Sequence, residues 1–147
     1  MMFHTPILGF TAFVLFCASC SPLAEPVAID AACTVTDGDT IRCGDERVRL
    51  LAIDAPELPG HCRPKRRCAP GDPIASTESL RAAIQSGPLR TVRIDRDRYG
   101  RTLASVFAGD TNLSCHQLAS QHAVYVSRWD NDDIIERTCP EIVGKKN

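Results

Sequence analysis

Five short stretches rich in β-branched residues, one helical pattern after the third and another after the fifth predict a mainly β (α+β) fold. The expected architecture is a five-stranded closed barrel of the OB type, with a helix after strand 3 and a second helix after strand 5. An even set of cysteines beyond the first twenty residues adds disulfide stabilisation. The expected organisation is residues 1–20 as a leader, 21–30 as a linker and 31–147 as one domain. At 147 residues a long fibrous, multi-domain or multi-span protein is excluded.

Cys33–Thr36 and Thr40–Cys43 are the first two strands, flanking Asp37-Gly38-Asp39, a turn triplet whose glycine is free to take positive φ. A hairpin centred on Gly38 pairs Val35 with Ile41 and sets Cys33 opposite Cys43, within disulfide reach. Gly44-Asp45 turns the chain into strand 3, Arg47–Ile53, whose apolar run fits burial on both faces, with Arg49 as the exception. Pro56, Pro59, Pro64, Pro70 and Pro73 forbid regular structure from Asp54 to about Asp72, and loops of that length are usually functional or disordered. Within it Cys62 and Cys68 would close a small ring displaying Arg63, Lys65, Arg66 and Arg67. Asp72 as N-cap and Pro73 at the first position start a helix that runs to Ser86, before Gly87-Pro88. Arg90–Asp95 and Thr102–Phe107 are strands 4 and 5, and the second helix spans about Asn112 to Gln121. His122 stands where a glycine would often end that helix. From Trp129 the tail is polar, acidic and poor in helical pattern until Cys139, and Trp129 itself reads as core or tail packing. His61, His116 and His122 lack partners at ligand spacing and read as surface or packing residues.

Ile7 to Cys20 carry no charge and are mostly apolar, too short to span a membrane and suited to a signal-peptide core. No Lys or Arg precedes it. Ala18-Ser19-Cys20 is half of a lipoprotein signal, so the protein is expected to be exported: periplasmic, secreted or lipid-anchored through Cys20. Export and six remaining cysteines favour disulfides over a zinc site, for which the domain has no C-x-x-C or H-x-x-x-H pairing. Of the fifteen connectivities that six cysteines allow, Cys33–Cys43 and Cys62–Cys68 follow from closeness in sequence and Cys115–Cys139 by elimination. The formal net charge is −1, so no global field drives binding to nucleic acid, but Arg63–Arg67 and Arg90–Arg101 are local basic patches.

Three segments carry the chemistry: Asp37-Gly-Asp-Thr40, Arg49-Leu-Leu-Ala-Ile-Asp-Ala-Pro-Glu57 and Asp97-Arg-Tyr-Gly-Arg101. Asp39 and Asp54 are two carboxylates brought together from a turn and a strand end, and such oxygen ligands suit a hard divalent cation, Ca²⁺ before Zn²⁺. Alone, Asp37-Gly-Asp is a plain hairpin turn with solvated carboxylates. Arg49, inside an apolar strand, needs an anionic partner: a salt bridge to Glu57 or Asp54, or a substrate phosphate held by its planar fork. Arg101 follows a Tyr-Gly turn that projects it outward, either to solvent or into a site.

Together and in this order the three segments resemble the staphylococcal nuclease family, calcium-dependent nucleases on an OB-fold, across about residues 33–126. The resemblance implies one Ca²⁺ ion held by Asp39, Asp54 and the backbone carbonyl of Ala55, where the family typically has Thr. Asp37 and Thr40 would orient ligands and waters around it. Arg49 and Arg101 would stabilise charge as water attacks phosphorus, with Glu57 as general base or water-orienting group. Cleavage of DNA and RNA, single strands preferred, leaving a 3′-phosphate, is the implied reaction, by a monomer with no obligate protein partner. Arg98 and Tyr99 are candidate substrate-binding residues, Tyr99 stacking a base or contacting phosphate if it does not merely pack the loop. The Cys62–Cys68 ring departs from the family pattern; its four cations, Arg63, Lys65, Arg66 and Arg67, would hold substrate backbone near the metal if the loop is not merely solubilising. The family usually ends in a long third helix, which a Cys115–Cys139 link would replace by tying down the short tail. A non-catalytic binding module of the cell envelope, for nucleic acid or protein, is the rival reading.

Overall fold

The computed structural model describes residues 24–144. The proposed leader lies outside the described residues. The architecture is mainly β with several short helices. Nine strands, β1 Val27–Ala28, β2 Cys33–Asp37, β3 Thr40–Cys43, β4 Glu46–Leu50, β5 Ile53–Asp54, β6 Leu89–Arg96, β7 Thr102–Ala108, β8 Thr111–Asn112 and β9 Val124–Tyr125, form two sheets. The larger runs β1-β6-β7-β4-β3-β2 with β8 added to β7, and the smaller pairs β5 with β9. The expected five-stranded closed barrel is therefore corrected: the large sheet ends on β1 and β2 and is not closed. Helix α1, Pro73–Ala83, packs against β2 and helix α2, Leu113–Ala119. Among the described residues no helix is long and apolar enough to cross a membrane.

The hairpin register is Val35 opposite Ile41 and Cys33 opposite Cys43, with an irregularity between Val35 and Asp37. Gly38 does not use positive φ. Its role is close approach: a Cβ there would lie 1.9 Å from Ser76 Oγ and 2.8 Å from Ala55 Cβ. Strand 3 of the sequence reading divides into β4 and β5 because Ala52 adopts φ 62°, a left-handed conformation that breaks the extended run. That break turns Ile53 and Asp54 out of the large sheet to pair with Tyr125 and Val124. Residues 27–29, inside the stretch assigned to a linker, hydrogen-bond to the edge of β6 and satisfy backbone groups that would otherwise be unpaired.

Asp72 caps α1, accepting from the N–H groups of Ile74 and Ala75, and Asn112 caps α2 by accepting from Cys115 N–H. The end of α2 is set one residue before His122. Gln121 takes φ 58°, and the N–H groups of Gln121 and His122 reach Leu118 and Gln117 carbonyls, a Schellman closure without glycine. Ile41, Val48, Leu50, Ile53, Leu80, Val106 and Leu113 fill the main core. A second cluster of Leu51, Ala52, Cys115, Ile134, Ile135 and Cys139 lies under the tail.

The tail is more helical than its acidic composition predicts. Two 3₁₀ turns, Ser127–Trp129 and Asn131–Asp133, lead into α3, Ile134–Thr138, and α4, Pro140–Val143. Buried Asp130 accepts from the N–H groups of Ile135 and Glu136 and from Tyr125 Oη, so one acidic residue satisfies the helix start. Burial, then the bond to Asp130, pushes the Tyr125 phenol far above its usual range. Among the described residues three disulfides, Cys33–Cys43, Cys62–Cys68 and Cys115–Cys139, are present; the last joins α2 to the residue between α3 and α4.

Candidate functional site

A cleft of about 910 Å³ opens at the ends of β2, β4 and β6, lined by interleaved carboxylates and arginines. The β2–β3 turn brings Asp37 and Asp39, β4 brings Arg47 and Arg49, and the segment after β5 brings Ala55 and Glu57. The β6–β7 turn adds Asp97, Arg98, Tyr99 and Arg101.

Asp39 is buried at the base. Its Oδ1 accepts from Thr40 Oγ1 at 3.0 Å and Arg49 Nη1 at 2.9 Å, and its Oδ2 from Ala55 N–H at 3.0 Å. Asp37 Oδ1 accepts from the Asp39 backbone N–H. Burial pushes the Asp39 carboxyl up to about 6, against the pull of Arg49, and the nearby Asp37 charge adds to the rise. Two buried residues hold this turn in place: Gln117 Nε2 donates to Gly38 O and to Ser76 O, and Ser76 Oγ donates to His122 O. Gln117 is a positioning residue that sequence inspection missed, since an α2 glutamine carries no local mark of burial.

Arg49, whose side chain is 12% exposed, resolves its need for an anionic partner by bridging Asp39 and Asp54, not Glu57. Its Nη2 also donates to Ile53 O, and its guanidinium lies 5.2 Å from the Trp129 ring centroid. The assignment of Trp129 to core or tail packing is thus corrected: it is half-buried in the cleft wall, between Arg49 and Arg128. The lone tryptophan in a polar tail next to an arginine was the available signal.

At the other end, Gly100 at φ 74° reverses the chain and Asp97 holds Arg101, accepting from its Nε at 2.8 Å and Nη2 at 2.7 Å. Burial pushes the Asp97 carboxyl up, but hydrogen bonds from Arg101 and from the Tyr99 N–H outweigh it and leave it below its ordinary value. Tyr99 is 42% exposed and ringed by Arg63, Arg98 and Arg101 at 5.0–5.6 Å. Arg98 and Arg63 donate to its Oη and hold the phenol below its usual range.

The disulfide ring behaves differently from the sequence expectation. Arg63-Pro64-Lys65-Arg66 forms a β-turn closed by Arg66 N–H to Arg63 O, with Pro64 second and Lys65 third at φ 67°. Of the four ring cations expected to hold substrate, Arg63 and Arg66 line the cleft, whereas Lys65 and Arg67 are exposed and do not line it. Arg66 does not stand free for phosphate. Its Nη2 lies 2.8 Å from Asp54 Oδ1 and its Nη1 2.8 Å from Glu57 Oε1.

Among the described residues no three His, Cys, Asp or Glu side chains converge as a metal cluster. The donor chemistry nevertheless fits a hard divalent cation: two buried aspartates offer oxygen only, and a guanidinium already stands against Asp54 as a stand-in positive charge. Of the three histidines among the described residues, only His61 lines the cleft; His116 Nε2 is 3.1 Å from Ser79 Oγ, and burial holds its ring below the ordinary value, with the charge of His122 adding to the drop.

The model of the family described as staphylococcal nuclease homologue matches residues 47–138. A succinoglycan biosynthesis protein, ExoI, of Rhizobium meliloti (strain 1021) is 36% identical over 110 residues, covering 72% of this chain and 55% of that protein. A thermonuclease of Staphylococcus intermedius is 40% identical over 81 residues, covering 52% of this chain and 46% of that one. The chain spans about half the length of these curated relatives.

Proposed function

The chain belongs to the staphylococcal nuclease homologue family, and from that premise we propose that it is an exported, Ca²⁺-dependent nuclease that hydrolyses phosphodiester bonds in DNA and RNA. The observation that carries the reading is the bridge of Arg49 between buried Asp39 and Asp54, in a cleft that Asp39, Arg49, Tyr99 and Arg101 all line. Asp39, Asp54 and the Ala55 carbonyl would hold Ca²⁺, with Asp37 and Thr40 orienting that set. When bound, the ion neutralises charge on a non-bridging phosphate oxygen.

The chain's own residues supply the rest. Arg49 and Arg101 are each held by carboxylates, so their forks are oriented before substrate arrives and exchange one anionic partner for another. Glu57 sits at the cleft mouth with its side chain 28% exposed, where it can orient a water for in-line attack on phosphorus. Tyr99, exposed and collared by guanidiniums, offers a face on which an unpaired base stacks, and this supports a preference for single strands. Hydrolysis would leave a 3′-phosphate. Three disulfides suit an oxidising compartment, periplasmic or extracellular, with release or anchoring at Cys20 decided by the mass of the mature amino terminus.

The test is the oxidised chain mixed with heat-denatured DNA in Ca²⁺ or chelator, alongside Glu57→Ser and Arg101→Gly. Cleavage that needs Ca²⁺ and collapses in both variants supports the enzyme. DNA binding without cleavage by the folded chain moves the assignment to a non-catalytic binding module.

A further inference from the structure

The Cys62–Cys68 ring carries the Arg66 guanidinium onto the carboxylates of Asp54 and Glu57. We propose that Arg66 is a tethered internal cation of this site, standing between Asp54 and Glu57 until a divalent cation displaces it. The inference rests on the cation-dependent reading above and adds how occupancy is regulated.

Arg66 spans two carboxylates with one guanidinium, at 2.8 Å to each, while its side chain remains 36% exposed. A group held by two short charge-assisted bonds but open to solvent is well placed and free to leave. Asp54 is 9% exposed, and its Oδ1 also lies 3.2 Å from Arg49 Nη2, a guanidinium it shares with Asp39. Asp39, Asp54 and Glu57 are thus three carboxylates served by two guanidiniums, Arg49 and Arg66. Replacing Arg66 with a divalent ion raises the positive charge against that cluster and frees Glu57.

The tether is built into the ring. The disulfide closes a separation of 6 residues, the Pro64–Lys65 turn aims both Arg63 and Arg66 inward, and Arg63 is anchored on Tyr99 Oη at 2.9 Å. A cation fixed in this way has a high effective concentration at the site and competes with one in solution. By linkage, whatever favours Arg66 on the carboxylates lowers affinity for the divalent cation by the same factor.

The experiment is calorimetric titration of the full oxidised chain with Ca²⁺, with thermal unfolding in chelator and in Ca²⁺. Arg66→Gln is expected to bind Ca²⁺ about tenfold tighter than wild type and Arg66→Lys, which cannot fork, to fall between. Arg81→Gln, which removes the same charge from the exposed face of α1, is expected to bind as wild type does. In chelator Arg66→Gln should melt lower, and Ca²⁺ should raise its melting temperature more than that of wild type. Should Arg66→Gln fail to fold, opening the ring with Cys62→Ser and Cys68→Ser keeps Arg66 but weakens its tether, and tighter Ca²⁺ binding is again expected. Wild-type binding with no gain in these variants overturns the inference alone. Absence of Ca²⁺ binding by every protein overturns it together with the metal-dependent reading.

Discussion

Gly38→Ala tests the contact that seats the Asp37–Asp39 turn on α1. An ideal Cβ would fall 1.9 Å from Ser76 Oγ, 2.9 Å from Ser76 Cβ and 2.8 Å from Ala55 Cβ. Rotating Ser76 relieves only the first clash and breaks the 2.7 Å bond from its hydroxyl to His122 O, a loss of about 1 kcal/mol. The two Cβ contacts are backbone-anchored, so the turn or the helix must shift, at roughly 1–3 kcal/mol for overpacking. The narrower unfolded ensemble of alanine returns about 0.4–1 kcal/mol. The net expectation is a loss of about 1–3.5 kcal/mol in urea unfolding, with an unchanged m-value. The site should suffer too, because Asp39 follows directly and Gly38 O accepts from Gln117. Ser76→Gly removes two of the three obstructing atoms, so in that background Gly38→Ala should cost at least about 1 kcal/mol less. A single-variant cost under about 0.5 kcal/mol, or additivity of the pair, would refute the packing argument.

Other perturbations separate scaffold from chemistry. Arg101→Lys should lower kcat roughly 10²-fold in a single-strand cleavage assay while leaving thermal stability near wild type, since the lysine keeps one contact to Asp97 but not the fork. Glu46 is clamped by Arg93 at 2.9 and 2.7 Å and accepts from Thr102 Oγ1; the Arg93 bonds chiefly hold its carboxyl down to about 2 from 4.5. Because that value is depressed in the folded state, its stabilisation is present above pH 4.5 and is lost as pH falls toward 2. Melting temperature in Glu46→Gln should therefore fall less steeply than wild type across that window. Cys115→Ser with Cys139→Ser opens a 24-residue link and should cost about 3 kcal/mol, read by urea unfolding. Trp129, the single tryptophan, should report a cleft change in that variant as a shifted emission spectrum, whereas an unshifted spectrum would mean the tail packs without the bond.

Local chemistry made much of this molecule legible and closure of the chain decided the rest. The β2–β3 register could be read because alternation of β-branched residues and a two-sided cysteine pair agree on one pairing. The division of β4 from β5 could not, since nothing in Leu51-Ala52-Ile53 announces a left-handed alanine; the pairing of Ile53 with Tyr125, over 70 positions away, imposes it. The tail's helices are hidden because Asp130–Glu136 looks like solvated acid. One buried aspartate, satisfied by two helix N–H groups and a tyrosine, converts that acidity into a helix start. The ring is the sharpest case. Its four cations are equal in sequence, and charge counting directs all of them toward substrate phosphates. A proline-lysine turn inside a disulfide divides them: Lys65 and Arg67 stay exposed outside the cleft lining, Arg63 reaches a tyrosine and Arg66 neutralises carboxylates. The same residue type therefore serves opposite electrostatic purposes within a few residues, and the backbone turn, not the charge, assigns them.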